Sequence, residues 1–378
     1  MSEKFDAFLD QFLDMGIPGY DCMICMDGKE IYRRKAGYAD KENKIPVQGN
    51  ELYNIFSCSK PITCVAALQL WEKGLYQLDD ELCKYMPEFT DMMVKLDDGT
   101  IVPAKQKITI RHLFTMTAGL TYDVFSDNLR QGCKDTNGKC PTREMVKYLA
   151  KDPLAFQPGE KFRYSLCHDV LAAFVEVISG MNFNDYVTEH IFKPLGMSDS
   201  SFLYQEEDFR TRNFAQMYRY IKKDDGFEIE KRPYDSLDFE NNYNNLRWGP
   251  LHASGGAGCV ATVEDYMRFL NAWCKGNVLL KQSTTDMMLT NQLTPEAAEE
   301  MYFVQKYHGH GYGLGVRCPL PGETWHIDSG WGGAAGAFLA IDPIHQFTMF
   351  YAEHVIGHAE AQHLRYEMFD AARKSFGF

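Results

Sequence analysis

The 378-residue sequence lacks several features that would place it in a special class of protein. No apolar run approaches the ~20 residues that a membrane span needs. Lys and Arg number 39 against 52 Asp and Glu, a net charge of −13 without a basic block, so nucleic acid is not an expected partner. Residues 1–10 lack the basic start and apolar stretch of a signal peptide. We therefore expect a cytoplasmic protein with no membrane partner.

Ligand sets for a metal ion are also missing. Cys22 and Cys25 form a CxxC pair, but no second pair follows at zinc-ribbon spacing and no HExxH motif is present. A group of histidines lacks a matching frame of carboxylates: His308, His310, His354, His358 and His363. We expect neither a metal nor an organic cofactor.

The eleven cysteines are an odd number in a chain without an export signal, which predicts reduced, mostly buried thiols. Cys133 and Cys140 flank a polar loop, Lys134–Lys139, and are close enough in sequence to approach each other. Two free thiols beside a turn is the interpretation we favour. Whether they ever pair stays open.

Apolar residues make up 45% of the chain and charged residues 24%, which is typical of a folded globular protein. Strands are predicted near both ends, with a hairpin turn at Asp27-Gly28, and helices between them. This order predicts an α/β (α+β) fold whose α/β domain is discontinuous, formed by residues 1–56 and 255–378. Residues 57–254 are predicted to form a mostly helical domain, with an irregular pocket-lining segment at 203–250.

The sharpest chemical signal is Ser57-Cys58-Ser59-Lys60 at the start of a predicted helix. A spacing of three places Ser57 and Lys60 side by side on one helix face. The helix continues with apolar residues almost all round, which predicts a buried element. A buried amine loses hydration, so its neutral form is favoured and can accept a proton from a neighbouring hydroxyl. The pair therefore suggests a nucleophile and its base.

This motif and its surroundings resemble the superfamily of serine β-lactamases and penicillin-binding proteins. The likeness is closest to the branch with class C β-lactamases, D-stereospecific aminopeptidases and β-lactamase-like carboxylesterases, and it covers nearly the whole chain. Matching segments occur in the family's order: Ile17-Pro18-Gly19, Gly37–Asp40, Phe56–Thr63, Arg111–Leu120, Pro194–Met197 and Gly258–Thr262. The resemblance implies a β-lactamase/transpeptidase-like fold, with an antiparallel sheet flanked by helices and a mostly helical insertion domain. It also implies that Ser57 is the nucleophile and Lys60 its base.

The resemblance assigns Tyr164, in Phe162-Arg-Tyr-Ser-Leu166, to the position of the family's catalytic tyrosine. A phenol beside an ammonium loses its proton more readily, so it can act as base and later as acid. Leu166 stands where lactamases usually carry an asparagine that orients the substrate amide. This departure argues against recognition of lactams and peptides.

Trp331-Gly332-Gly333 aligns with the family's K-T-G strand. Glycines there let the strand edge approach substrate, and the N–H of Ala334 is expected to join that of Ser57 in an oxyanion hole. Trp331 replaces a lysine that attracts the carboxylate of penicillins and D-Ala peptides, and an indole carries no such charge. The W-G-G pattern resembles the carboxylesterase branch, so neutral esters with an acyl chain are the expected substrates.

A Ser-His-Asp triad built with His168, His326 or Asp328 is less favoured, because no G-x-S-x-G motif is present. Aromatic residues of segment 203–250 are candidates for an acyl pocket: Tyr218, Tyr220, Tyr243 and Trp248. The sequence thus predicts a serine hydrolase that acts on a small-molecule ester or amide through an acyl-enzyme. A D-amino-acid peptidase or weak β-lactamase, an acyltransferase, and a binding module with a dead site stay open, as does a homo-oligomer.

Overall fold

The computed structural model describes residues 2–204, 206–232, 248–305, 309–324 and 327–378. The helices are α1 (Ser2–Asp14), α2 (Lys60–Glu72), α3 (Ile110–Phe114), α4 (Asp127–Asp135), α5 (Thr142–Leu149), α6 (Cys167–Ser179), α7 (Phe183–Val187), α8 (Lys193–Leu195), α9 (Glu206–Thr211), α10 (Val263–Lys275), α11 (Gln282–Met288), α12 (Pro295–Gln305), α13 (Ala359–Tyr366) and α14 (Met368–Phe376). Short 3₁₀ turns span Phe56–Ser59, Leu82–Lys84 and Pro87–Phe89, and a π turn spans Thr188–Phe192.

The strands are β1 (Gly19–Met26), β2 (Lys29–Asp40), β3 (Ile45–Pro46), β4 (Tyr53–Asn54), β5 (Met93–Lys95), β6 (Ile101–Pro103), β7 (Tyr218–Lys223), β8 (Gly226–Lys231), β9 (Val260–Ala261), β10 (His310–Tyr312), β11 (Arg317–Pro319), β12 (Ser329–Gly332), β13 (Phe338–Asp342), β14 (Phe347–Ala352) and β15 (Val355–Ile356). Eight of them form an antiparallel sheet in the order β10-β11-β12-β13-β14-β1-β2-β3.

Both chain ends build this sheet, because β1 pairs with β14 from Asp21 opposite Ala352 to Met26 opposite Phe347. Strand β1 is apolar on both faces since each face is covered. Cys22 lies in the core cluster that includes residues of α1 and α14, whereas Cys25 lies in the larger cluster that includes α2 and α10. The CxxC cysteines therefore lie on opposite faces of the sheet. The predicted mixed fold with an antiparallel sheet flanked by helices is confirmed.

The predicted hairpin is also confirmed. Asp27 and Gly28 both have positive φ, 49° and 71°, which matches the twist of the two flanking strands. Segment 203–250 differs from the irregular chain expected, because its described part contains α9 and the antiparallel pair β7–β8, with β15 parallel to β7. The domain limits proposed from the sequence stay predictions.

Among the residues that the structure describes, no helix combines the length and apolar character required to cross a membrane.

Candidate active site

The candidate nucleophile lies in a tight turn that opens helix α2. Phe56 has φ +45°, a strained value for a bulky residue and of a kind that clusters at active sites. The 3₁₀ turn then leads into α2, with Pro61 in its first turn, where a missing N–H does no harm. Ser57 is 7% exposed and faces a cleft, while Lys60 is completely buried. The turn thus brings the hydroxyl to the cleft and leaves the amine in the protein interior.

Lys60 is held against Ser57 by the groups around its amine. Its Nζ lies 3.2 Å from Ser57 Oγ and donates a hydrogen bond to the Gly256 carbonyl at 2.7 Å. Nζ also lies 4.5 Å from the centroid of the Tyr164 ring, within cation–π distance. The predicted serine–lysine contact is therefore present in the structure, with a backbone carbonyl and an aromatic ring as further partners of the amine.

Tyr164 completes a chain of hydrogen bonds at the serine. Its hydroxyl donates to Ser57 Oγ at 2.5 Å and accepts a hydrogen bond from Trp331 Nε1 at 3.2 Å. The Tyr164 ring is stacked between Trp331 and Tyr122, each with a centroid separation of 5.4 Å. The Trp331 N–H therefore binds the same hydroxyl that contacts the nucleophile, and the Trp331 ring packs on the Tyr164 ring.

Two residues beside this chain were missed from the sequence. Tyr122 hydrogen-bonds to Ser57, and burial raises its pKa well above the ordinary value, so it stays protonated. Asp169 lies behind Lys60, fully buried, and accepts a hydrogen bond from Ser254 Oγ at 2.6 Å. Burial raises the Asp169 pKa to about 6, against the lowering effects of Ser254 and the Lys60 charge. The available sequence signal was an acid in the first turn of the otherwise apolar helix α6.

Gly256 must be a glycine in this arrangement. A Cβ there would lie 2.7 Å from an Asp169 carboxylate oxygen and 3.6 Å from Lys60 Nζ. The close packing lets the Gly256 carbonyl reach the amine.

The W-G-G segment approaches the serine turn closely. Trp331 and Gly332 end strand β12, and a Cβ on Gly333 would lie 2.4 Å from the Ile55 carbonyl oxygen. Only glycine allows this approach, which brings Ala334 and Ser57 to the wall of one cleft. An oxyanion hole formed by their two N–H groups remains a prediction.

The cleft has a volume of about 290 Å³. One wall carries Ser57, Tyr164 and residues 331–334. A second wall comes from the segment that leads into and forms α13: Gly357, His358, Ala359, Gln362, Arg365 and Tyr366. The sequence gave no sign that this segment would border a site.

The charge on this second wall is balanced within the protein. Arg365 Nη1 pairs with Glu353 Oε1 at 2.8 Å, and Tyr351 donates to the other Glu353 oxygen at 2.6 Å. Burial raises the Glu353 pKa, while the Arg365 charge lowers it. The pair is almost fully buried, so Arg365 carries its own counter-ion where it borders the cleft.

Other predicted candidates lie elsewhere. Leu166 is 1% exposed and packs in the hydrophobic core, so it is not on the surface of the cleft. His168 is buried against Cys64 Sγ at 3.6 Å and the Phe114 carbonyl at 3.4 Å, and burial lowers its pKa well below the ordinary value. Asp328 forms a buried network with Arg317 and His310. His326 lies outside the described residues. His168 and Asp328 have the other partners just named and do not form a triad with Ser57.

The aromatic residues proposed for an acyl pocket are dispersed. Tyr218 donates to Glu42 Oε2 at 2.7 Å, and Tyr220 stacks on His358 at 4.1 Å, behind the second wall. Trp248 stacks on His252 at 4.2 Å. Tyr243 and His308 lie outside the described residues. The acyl-pocket prediction is therefore not supported for the three that are described.

Two more of the histidines noted in the sequence contact backbone carbonyls. His354 Nδ1 lies 2.8 Å from the Ala215 carbonyl, and His358 Nε2 lies 3.0 Å from the Met15 carbonyl. Burial lowers the pKa of both, to about 4 for His354. Each histidine therefore connects two segments that are distant in the sequence.

Comparison with known proteins identifies the family of the chain. Residues 5–372 match the family described as Beta-lactamase. The chain belongs to this family. It is 29% identical over 366 residues to Esterase EstB of Burkholderia gladioli, covering 90% of this chain and 87% of that protein. This confirms the resemblance drawn from the SxxK, tyrosine and W-G-G segments.

Two solved structures share the fold. EstCE1, a hydrolase with promiscuous acyltransferase activity, is 25% identical with a TM-score of 0.76, and the match covers 98% of this chain and 97% of that one. The simvastatin synthase LovD from Aspergillus terreus is 24% identical with a TM-score of 0.80, covering 100% and 98%. The second likeness shows the fold alone.

Proposed function

We propose that this protein is a serine hydrolase that cleaves neutral carboxylic esters through an acyl-enzyme. The observation that carries the proposal is the single hydroxyl of Ser57, which contacts Lys60 Nζ and the Tyr164 hydroxyl together at the wall of an open cleft. Nucleophile and base within hydrogen-bond reach, with the base oriented by a third group, is the arrangement that activates a serine.

The proposed reaction starts with attack of Ser57 Oγ on the ester carbonyl. The serine proton passes to the Lys60–Tyr164 pair, and the N–H groups of Ser57 and Ala334 hold the oxyanion that forms. Tyr164 then donates a proton to the leaving alcohol, and the acyl group stays on Ser57. Water then gives a proton to the same pair and attacks the acyl carbon, and the pair returns that proton to Ser57 Oγ as its bond to the acyl group breaks and the carboxylic acid leaves.

The charged and polar groups that line the cleft favour neutral substrates. Trp331 stands where the lysine of the resembled lactamases attracts a carboxylate, and its N–H is engaged with Tyr164. Arg365 on the second wall is paired with Glu353. An anionic lactam or D-Ala peptide would have to compete with that buried carboxylate for the guanidinium. The similarity to Esterase EstB supports the same choice.

Acyl transfer is the second candidate, favoured by the likeness to EstCE1, a hydrolase with promiscuous acyltransferase activity. Both reactions share the acyl-enzyme and differ in the acceptor that releases the acyl group. Product partition toward an added alcohol, measured beside hydrolysis, separates them.

The decisive experiment is labelling with a fluorophosphonate followed by intact-mass analysis. One adduct is expected on the wild type and none on Ser57→Ala, with Ser59→Ala as the matched control because Ser59 is buried and hydrogen-bonds to Cys259 N–H. Hydrolysis of p-nitrophenyl butyrate is expected to exceed that of nitrocefin and of D-Ala-D-Ala peptides. Absence of an adduct would favour a dead binding module, and faster nitrocefin turnover would favour a lactamase.

A further inference from the structure

The turn between α4 and α5 brings two thiols together. Cys133 lies in the last turn of α4 and is half-buried, whereas Cys140 is buried just before α5. The chain between them folds back, because Gly138 N donates to the Cys133 carbonyl at 2.8 Å. Thr136 Oγ1 lies 3.6 Å from Cys140 Sγ and accepts a hydrogen bond from Cys140 N at 3.1 Å. Thr136 Oγ1 also donates to the Cys133 carbonyl at 3.3 Å, so one hydroxyl contacts both cysteines of the turn.

The two thiols differ from the other nine cysteines. The Cys133 thiol hydrogen-bonds to the Cys140 sulfur, which raises the pKa of Cys133 and lowers that of Cys140 to about 7. Burial raises the pKa of the remaining thiols: Cys22, Cys25, Cys58, Cys64, Cys83, Cys167, Cys259, Cys274 and Cys318. Thiolate character, which governs reaction with oxidants, is therefore greatest at Cys140, with the Cys133 thiol beside it.

The turn also packs on the segment that holds the catalytic lysine. Cys133 Sγ lies 3.9 Å from the Trp248 carbonyl, and Leu251 N donates to the Lys139 carbonyl at 3.0 Å. A Cβ on Gly249 would lie 2.3 Å from the Gly138 carbonyl, so the two segments fit without space between them. Five residues after Leu251, the Gly256 carbonyl binds Lys60. The same segment carries Ser254, which binds Asp169.

We propose that Cys133 and Cys140 form a reversible disulfide whose formation displaces segment 248–256 and slows the reaction at Ser57. With a peroxide as oxidant, the Cys140 thiolate attacks one oxygen and the O–O bond breaks, which gives a sulfenic acid on Cys140 and a hydroxide that takes a proton from solvent to become one water. The Cys133 sulfur then loses its proton and attacks the Cys140 sulfur, the S–S bond forms, and hydroxide leaves with that proton as a second water. The two sulfurs move together, which removes the contact between Cys133 and Trp248. This inference adds a modification site to the proposed function.

The bond is tested directly by mass spectrometry. The full-length protein is treated with hydrogen peroxide, free thiols are blocked with N-ethylmaleimide, and the product is digested with trypsin. Cleavage after Arg130, Lys134, Lys139 and Arg143 separates the cysteines, so the disulfide appears as Gln131–Lys134 linked to Cys140–Arg143. The link is expected in the wild type and in Cys83→Ser, a matched control with a partly exposed thiol, and not in Cys133→Ser or Cys140→Ser. Eleven alkylated thiols after oxidation, or a link between other cysteines, would overturn the site.

The effect on the reaction is a separate readout, measured with the best ester of the substrate panel. Oxidation is expected to lower kcat about tenfold, because small displacements of a catalytic group cost that much, and dithiothreitol is expected to restore it. Cys133→Ser should keep its rate under the same treatment. A disulfide without a change in kcat would overturn the coupling to Ser57 and leave the thiol site. An equal loss of rate in the wild type and in Cys133→Ser would assign the effect to other oxidised residues and overturn the coupling.

Discussion

Two buried cations stand beside the cleft and are held in different ways. Lys60 contacts a hydroxyl, a backbone carbonyl and the Tyr164 ring. Asp169 lies behind it, and both side chains pack against Gly256. Arg365 pairs directly with the Glu353 carboxylate at 2.8 Å. A direct ion pair fixes both charges and leaves little for a substrate. The Lys60 amine contacts the hydroxyl of Ser57, whereas the Arg365 charge is matched by its own carboxylate, so the comparison separates a group suited to catalysis from one suited to structure.

The largest effect is expected from removing the first cation. Lys60→Ala should lower kcat by about 10³–10⁴-fold, since it removes the proton acceptor beside Ser57. Lys73→Ala, at the exposed end of the same helix, is the matched control and should keep the wild-type rate. Ester hydrolysis and fluorophosphonate labelling measure both variants. Wild-type turnover by Lys60→Ala would remove the lysine from the mechanism.

The tyrosine beside Lys60 should show the next largest effect. Tyr164→Phe deletes the hydroxyl that bonds to Ser57 and should lower kcat by about 10²-fold or more. Trp331→Phe keeps a ring on Tyr164 but removes the N–H that binds its hydroxyl, so kcat should fall by a smaller factor than in Tyr164→Phe. Tyr148→Phe, whose hydroxyl bonds to Asp135 at the surface, is the control. An unchanged kcat in Trp331→Phe would show that the indole acts only through packing.

Removing the partner of the second cation should change which substrates bind. Glu353→Gln leaves the Arg365 charge without its carboxylate, so KM for mono-p-nitrophenyl succinate should fall several-fold relative to p-nitrophenyl butyrate. The free energy of unfolding should drop by about 3 kcal/mol, since breaking a buried ion pair leaves an uncompensated charge. In the double variant Glu353→Gln/Arg365→Gln the preference for the succinate should disappear. A preference that persists there would assign anion binding to another group.

The smallest expected effect concerns Asp169 and appears in the pH dependence of stability. Its pKa is raised in the folded state from 3.8 to about 6, so folding favours the protonated form. The stabilising contribution is therefore complete below about pH 4 and is lost as pH rises through 6. Asp169→Asn should remove a decline on the order of 2 kcal/mol between those pH values. Urea unfolding at pH 4.5 and 7.0 measures it, and an equal decline in both proteins would contradict the assignment.

Motifs that act through local spacing were predicted well from the sequence. Ser57 and Lys60 lie one turn apart, so their contact follows from helical geometry alone. The hairpin at Asp27-Gly28 and the N-cap at Thr262, which accepts a hydrogen bond from Asp265 N at 3.1 Å, are also local. In each case the residues that decide the structure are neighbours in the chain.

Contacts between distant segments were not predicted. The Asp265 side chain accepts hydrogen bonds from Asp199 N and Ser200 Oγ, which are far from it in the sequence. Tyr122 and Asp169 reach the site only through tertiary packing. The residues of α13 likewise border the cleft only because the chain folds back to it after the last strands. Hydrophobic periodicity predicts local secondary structure, but it does not indicate which distant segment a side chain will contact.

The pairing of β1 with β14 has a consequence for biosynthesis. Strand β1 pairs with its neighbour β2 on one side, but its partner on the other side, β14, is made about 320 residues later, a span of ~1,100 Å of extended chain. A ribosome that has made the serine turn and its helix must therefore still make the last strands and α13 before the cleft at Ser57 is complete. A stop codon placed before β14 should yield protein that neither hydrolyses the ester panel nor escapes degradation.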